Sequence, residues 1–157
     1  MVQQAQFKIR VGVIAVCQNR VVLVRQNNRP FWVTPGGTLE LGETLAQCAV
    51  RELQEELALP ITLGSLIWVG EFLGGKVPAI DMVFLAQAET QTITMTLDEN
   101  LNAVQWIGRE AMATLLAAEA FQPRRLGETL LTAWDEIMEN PLKPYWQHDI
   151  YASEAGL

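Results

Sequence analysis

Gly37-Thr-Leu-Glu-Leu-Gly-Glu43-Thr-Leu-Ala-Gln-Cys-Ala-Val-Arg51-Glu52-Leu53-Gln-Glu55-Glu56-Leu57-Ala58-Leu59 is the stretch on which the fold and the chemistry of this chain turn. Ala46, Ala49, Val50, Leu53 and Leu57 recur at spacings of three and four, which predicts a helix over Thr44–Leu57 with one apolar face. Glu52, Glu55 and Glu56 stand at i, i+3 and i+4, so three carboxylates share one side of it. Stability alone does not favour that arrangement. Like charges at these spacings repel by a few tenths of a kcal/mol, and the last turns of a helix favour cations over anions. The acidic stripe begins with Leu45 and Cys48, so it is not a fully solvated face. Carboxylates gathered in a partly dry place need raised pKa values or a cation. Oxygen ligands suit a hard divalent ion, Mg²⁺ or Mn²⁺.

The approach to the helix supports this reading. Trp32-Val33-Thr34-Pro35-Gly36-Gly37 ends an extended run in a tight turn, where glycines let backbone come close to a ligand. A carbonyl exposed there adds a neutral oxygen to the acidic set.

The same residues resemble the signature of the Nudix hydrolases, Gly-x5-Glu-x7-Arg-Glu-apolar-x-Glu-Glu-x-Gly-apolar. Gly37, Glu43, Arg51, Glu52, Leu53, Glu55, Glu56 and Leu59 match it in position. Six of those are fixed polar or Gly identities, so a chance match is on the order of one in ten million per start. One position departs: Ala58 stands where the family has Gly. Ala either adopts the left-handed cap at a cost of about 1 kcal/mol, or the helix runs on toward Pro60.

That resemblance implies an α/β fold, an α/β/α sandwich around a mixed sheet. It also implies hydrolysis of a diphosphate linking a nucleoside to another moiety. Carried over residue by residue, it makes Glu52, Glu55, Glu56 and the Gly36 carbonyl the ligands of Mg²⁺ or Mn²⁺. Arg51 and Glu43 become supports of the loop, and Glu52 or Glu99 the group that orients or deprotonates water. A bound divalent ion would neutralise diphosphate charge and acidify the attacking water. Arg25 and Arg29, on a strand and the loop after it, are candidates to hold substrate phosphates beside Gly37. Trp32, Trp68 and Phe72 are read first as core aromatics, although each has a ring that can stack on a base.

Composition sets the outer bounds. At 157 residues the chain is expected to form one domain, residues 1–157, with a tail after Pro141 that docks through Pro144, Tyr145 and Trp146. Half the residues are apolar and 18% charged, which excludes a disordered chain. A net charge of −7 argues against general nucleic-acid or anionic-membrane binding. Val11–Cys17 is too short to span a membrane, no signal-peptide pattern precedes it, and Cys17 and Cys48 lack metal or redox spacing. A cytoplasmic protein is expected, with edge strands able to support a homodimer.

In order, the chain predicts strands over Gln6–Cys17 and Arg20–Gln26 joined at Gln18-Asn19. Further strands are expected over Ile61–Leu73, Val77–Ala88 and Ala103–Ile107, with a short β-like run at Thr92–Leu97. Helices are predicted over Arg109–Ala120 and Arg125–Asn140. Two other functions compete: a non-catalytic module of the same fold that binds a nucleotide, and a diphosphate-dependent isomerase. The full set of acids favours the hydrolase. No residue downstream of the signature marks a substrate subgroup, and lone His148 carries no assignment.

Overall fold

Successive residues of the first long apolar run point to opposite sides of one sheet. Strand β1 (Lys8–Cys17) turns Val11, Val13, Ala15 and Cys17 one way and Ile14 and Val16 the other, and both sets are buried. A strand with no wet face must lie inside a sheet covered on both sides. Strand β2 (Arg20–Gln26) does the same, with Val22 and Val24 opposed to Val21 and Leu23. Gln18 and Asn19 between them both have positive φ, 49° and 61°, as a two-residue hairpin turn matched to the sheet twist requires.

The computed structural model describes Gln4, residues 6–96 and residues 100–144. Five more strands follow: β3 (Trp32–Val33), β4 (Gly36–Thr38), β5 (Ile61–Phe72), β6 (Ala79–Ala88) and β7 (Leu101–Ile107). The order is β3-β2-β1-β6-β5, with β4 paired to the start of β1 and β7 to β2. β1 and β6 run parallel from Lys8↔Ala79 to Val16↔Gln87, and the other pairings are antiparallel, so the sheet is mixed.

Helix α1 (Leu45–Leu57) covers the Val11 side, burying Cys48, Ala49, Leu53 and Leu57. Helices α2 (Arg109–Ala117), α3 (Arg124–Thr132) and α4 (Trp134–Glu139) cover the other, with Met112, Leu116, Leu126, Leu130, Trp134 and Ile137 inside. At about 1.5–3 kcal/mol for each large apolar side chain removed from water, these two cores hold the three layers together. The α/β/α sandwich expected from the sequence is the fold. No helix among the described residues is long and apolar enough to cross a membrane.

Three expectations need correction. The β-like run at Thr92–Leu97 forms no strand over residues 92–96. Its alternation is real, with Ile93 and Met95 against the core, but its N–H groups serve the helix. Thr94 N donates to Leu57 O and Thr96 N to Glu56 O, both at 3.0 Å, filling orphan carbonyls at the end of α1. The helix expected over Arg125–Asn140 is two, broken at Ala133 (φ −101°). The apolar stripe of α1 is rotated from its expected place: Ala46 and Val50 are exposed, while Leu45 and Cys48 face inward. The tail packs on β5 as far as described, with Ser65 Oγ donating to Lys143 O at 3.3 Å. Leu97, Asp98, Glu99, Tyr145, Trp146 and His148 lie outside the described residues.

Candidate active site

Helix α1 is fixed at both ends by its own sequence. Thr44 and Gln47 form a reciprocal cap: Gln47 N donates to Thr44 Oγ1 at 3.1 Å, and Thr44 N to Gln47 Oε1 at 2.8 Å. Such caps are worth about 0.5–2 kcal/mol. At the far end Ala58 takes the left-handed conformation, φ 48° and ψ 37°, and the helix stops. Its N–H donates to Gln54 O and the Leu59 N–H to Leu53 O, while Leu57 and Leu59 are fully buried on either side. Ala therefore does what the family's Gly does there, held by the contacts flanking it.

The turn before the helix meets the acids directly. Gly36 N donates to Glu56 Oε2 at 3.2 Å. Gly36 has φ +144°, and a Cβ there would strike the Val11 carbonyl of β1. Gly37 lies beneath Glu52, and a Cβ on it would collide with the carboxyl group. Both glycines are needed, one for the sheet and one for the acid. Glu52 and Glu56 are half-buried, whereas the Glu55 side chain is 60% exposed.

Arg51 organises the remaining charges. Its Nε donates to Glu43 Oε2 at 2.9 Å and its Nη2 to Glu43 Oε1 at 2.6 Å, a two-point fork. Nη1 donates to Glu52 Oε1 at 2.8 Å and Glu55 Oε2 at 3.1 Å, and Nη2 reaches Thr38 O at 3.3 Å. The Arg51 hydrogen bonds, with a further one from Glu40 N, pull the Glu43 carboxyl down from 4.5 to about 2. Glu43 in turn raises Arg51, and burial first, then Glu43, pushes the Cys48 thiol from 9.0 to about 12. One guanidinium thus offsets part of the repulsion that the spacing implied. Among the described residues, no three His, Cys, Asp or Glu side chains converge to hold a metal. Glu52 and Glu55 turn toward Arg51, and Glu56 toward Gly36 N.

The structure does not bring Arg25 or Arg29 to these acids. Arg25 stands in register with Trp32, its guanidinium 5.3 Å from the ring centre and its Nε donating to Asn102 Oδ1. Strand alternation puts it on the side of Leu23, away from α1. Arg29 lies 5.7 Å from the Phe31 ring and, with Gln26, Asn27, Asn28 and Asn100, lines a polar cleft of about 260 Å³. Glu99 lies outside the described residues. Two supports escaped the sequence reading. Arg10 Nη2 donates to Thr34 O at 2.8 Å, holding the glycine turn from β1, and Thr96 Oγ1 donates to Glu55 O at 2.8 Å. Nothing local in the sequence marks either one, because both contacts are long-range.

The NUDIX domain profile matches residues 6–130. Phosphatase NudJ of Escherichia coli K12 is 25% identical over 105 residues, which are 65% of this chain and 69% of NudJ. Among solved structures, a NUDIX-family hydrolase from Clostridium perfringens superposes with a TM-score of 0.71 at 19% identity, covering 82% of this chain and 97% of that one. A MutT NUDIX hydrolase from Burkholderia pseudomallei gives 0.61 at 22% identity, covering 73% and 98%.

Proposed function

The chain belongs to the Nudix family, matched across residues 6–130, and from that premise we propose that it cleaves a nucleoside diphosphate from another moiety with a divalent ion held by Glu52, Glu55, Glu56 and the Gly36 carbonyl. It is a hydrolase acting on phosphorus-containing anhydrides. The observation that carries the finer reading is the glycine turn pressed against two half-buried carboxylates, Gly36 N on Glu56 and Gly37 under Glu52.

The donor chemistry fits a hard ion: carboxylates and a peptide oxygen, with no thiol or imidazole among them. Arg51 already occupies one oxygen of Glu52 and one of Glu55. Glu55, mostly exposed, reorients at little cost. A bound Mg²⁺ or Mn²⁺ would supply charge neutralisation on the diphosphate and a more acidic water.

The chain's own residues supply position. Arg51 fixes Glu52 through Oε1 and ties the loop through Glu43, which leaves Glu52 Oε2 free to face the ion and its water, and makes Glu52 one candidate to orient or deprotonate that water. Glu99 is the other candidate for that step, and the variants Glu52→Gln and Glu99→Gln separate the two. Buried free Cys17 and Cys48 fit a reducing cytoplasm.

The test is a product-resolved screen of oxidised nucleotides, ADP-ribose, dinucleoside polyphosphates and nucleotide sugars with Mg²⁺ or Mn²⁺. Turnover that needs the ion and disappears in Glu56→Gln supports the reading. No turnover of any diphosphate returns the chain to a nucleotide-binding module.

A further inference from the structure

The turn that meets Glu56 is also held from the far side of the sheet. Alternation along β1 puts Arg10 with Ile14 and Val16, the set that faces away from α1. From there its Nη2 donates to Thr34 O at 2.8 Å. Arg10 is half-buried, and Asp81 stands beside it in register on β6. A carboxylate is the usual partner of a half-buried guanidinium. Among the described residues Arg10 makes no ion pair, and its guanidinium goes to a neutral carbonyl instead.

The sheet is opened for this contact at Gly12. A Cβ there would lie 2.7 Å from Thr34 Oγ1 and 3.1 Å from Arg10 Nη1, so glycine lets the guanidinium and the turn close on each other. Thr34 is 2% exposed, the one buried polar or charged residue among those described.

What this apex carries is Gly36. Val13 N donates to Pro35 O and Leu39 N to Ile9 O, both at 3.0 Å. Those are bonded positions of the β1–β4 ladder, and Gly12↔Gly36 falls on an unbonded one between them. β1 therefore holds neither the N–H nor the C=O of Gly36. The N–H goes to Glu56 Oε2, and the C=O is the group proposed above as an ion ligand. The position of Gly36 rests on the two residues before it. Both of their carbonyls are tied to β1, Pro35 O by the Val13 N–H and Thr34 O by the Arg10 guanidinium.

From this we infer that Arg10 is a positioning residue of the proposed site. Acting through Thr34 from the far side of the sheet, it sets where Gly36 stands against Glu56, and with it the geometry in which the ion is held. The inference rests on the hydrolase reading for the ion but not for the contact, so the two are tested apart.

Amide hydrogen exchange of the protein without divalent ion reads the contact directly. In Arg10→Met the Gly36 N–H should exchange about tenfold faster, the scale of one charged hydrogen bond, while Phe84 and Leu85 within β6 exchange as before. An arginine that served only overall stability would speed all of them together. Arg10→Lys, which keeps a charged donor, should recover part of the loss. Gly12→Ala, whose Cβ crowds the same contact, should reproduce the effect, and combining it with Arg10→Met should add little. Asp81→Asn should leave Gly36 unchanged. An effect there equal to that of Arg10→Met would mean that Arg10 acts through charge pairing, and would overturn the inference. Circular dichroism confirms that each variant is folded.

Mn²⁺ titrated into the unaltered protein and Arg10→Met, followed by calorimetry, reads the consequence, an affinity about tenfold weaker in the variant. On a diphosphate that the protein cleaves, kcat at subsaturating Mn²⁺ should fall about tenfold with KM for the nucleotide within about threefold. If Gly36 exchange, or Mn²⁺ affinity in a protein that binds it, is the same with and without Arg10, the inference is wrong and the hydrolase reading is untouched. If Gly36 loosens as expected but the unaltered protein binds no Mn²⁺ and cleaves no diphosphate, the placing of Gly36 by Arg10 stands and the hydrolase reading is wrong.

Discussion

Arg51 and Glu43 meet through two parallel hydrogen bonds, Nε to Oε2 at 2.9 Å and Nη2 to Oε1 at 2.6 Å, with their side chains only 22% and 14% exposed. The pair ties the loop before α1 to the middle of that helix, and the same guanidinium holds Glu52. A lysine has the charge but not the fork. Arg51→Lys is therefore expected to lower the melting temperature by ~3–6 °C and kcat/KM by about 10–100-fold, because Glu52 loses its fixed orientation. Thermal melts and steady-state kinetics check it. Unchanged values in both would reduce the pair to an ordinary surface contact.

The same pair sets a pH dependence. The folded carboxyl of Glu43 sits at about 2, against 4.5 without its partners, because Arg51 first and Glu40 N second stabilise the charged form. Between those values the unfolded chain binds a proton that the folded one does not, so stability rises with pH there. The contribution is complete above 4.5 and is lost as the pH falls through about 2. Urea unfolding from pH 5 to pH 2 should show a shallower decline for Glu43→Gln than for the unaltered protein. Equal slopes in the two would assign the acid sensitivity to other groups.

Glu55 behaves oppositely. It is 60% exposed, shares Arg51 with Glu52, and has like-charged neighbours on its own helix. The attraction of an exposed i,i+4 pair and the repulsion from Glu52 and Glu56 are each a few tenths of a kcal/mol and nearly cancel. Glu55→Gln should leave the melting temperature without divalent ion unchanged or slightly raised, and abolish turnover. A clear loss of stability without the ion would make Glu55 a structural residue.

The layers of the fold were legible because their cause is local. Continuous apolar runs at Val11–Cys17 and Val21–Val24 announce strands covered on both faces, and the spacing of Leu53 and Leu57 announces a helix. The acids of α1 were legible for the same reason, since three residues at helical spacing keep their relation in any fold. The side of the sheet that Arg25 takes was not legible, because alternation along a strand fixes it only once α1's side is known. The run after Thr92 misled because period two marks extended chain, not what that chain bonds to. Its donors went to Leu57 and Glu56 carbonyls, a choice made by tertiary packing. Arg10 and Asp81, in register on β1 and β6, lie 71 residues apart in sequence, beyond any local pattern.

Ala58 offers a direct measure of strain. With φ at 48° it occupies a region that costs a residue bearing a Cβ about 1–2 kcal/mol. Glycine removes that cost but gives back about 0.4–1 kcal/mol through the freer unfolded chain. Ala58→Gly should therefore raise the melting temperature by ~1–4 °C without altering turnover. A lower melting temperature would show that the bonds from Ala58 N and Leu59 N to Gln54 O and Leu53 O had already relaxed the strain.

Gly37 tests the tie between turn and acid most sharply. Its φ lies outside the left-handed region that favours glycine, so only space forbids a side chain there. That space is filled by the Glu52 carboxyl, which any Cβ on residue 37 must displace. Gly37→Ala is expected to fold, because the displaced group is the end of a flexible side chain at a half-open site. Glu52 Oε1 must then shift relative to Arg51 Nη1, and a displacement of about 1 Å at such a group costs on the order of a hundredfold in rate. The expected result is a native-like circular dichroism spectrum with kcat lowered about 100-fold and KM little changed. Full activity in this variant would mean that Glu52 acts from a position the turn does not set, and that the close approach of glycine and acid is packing alone.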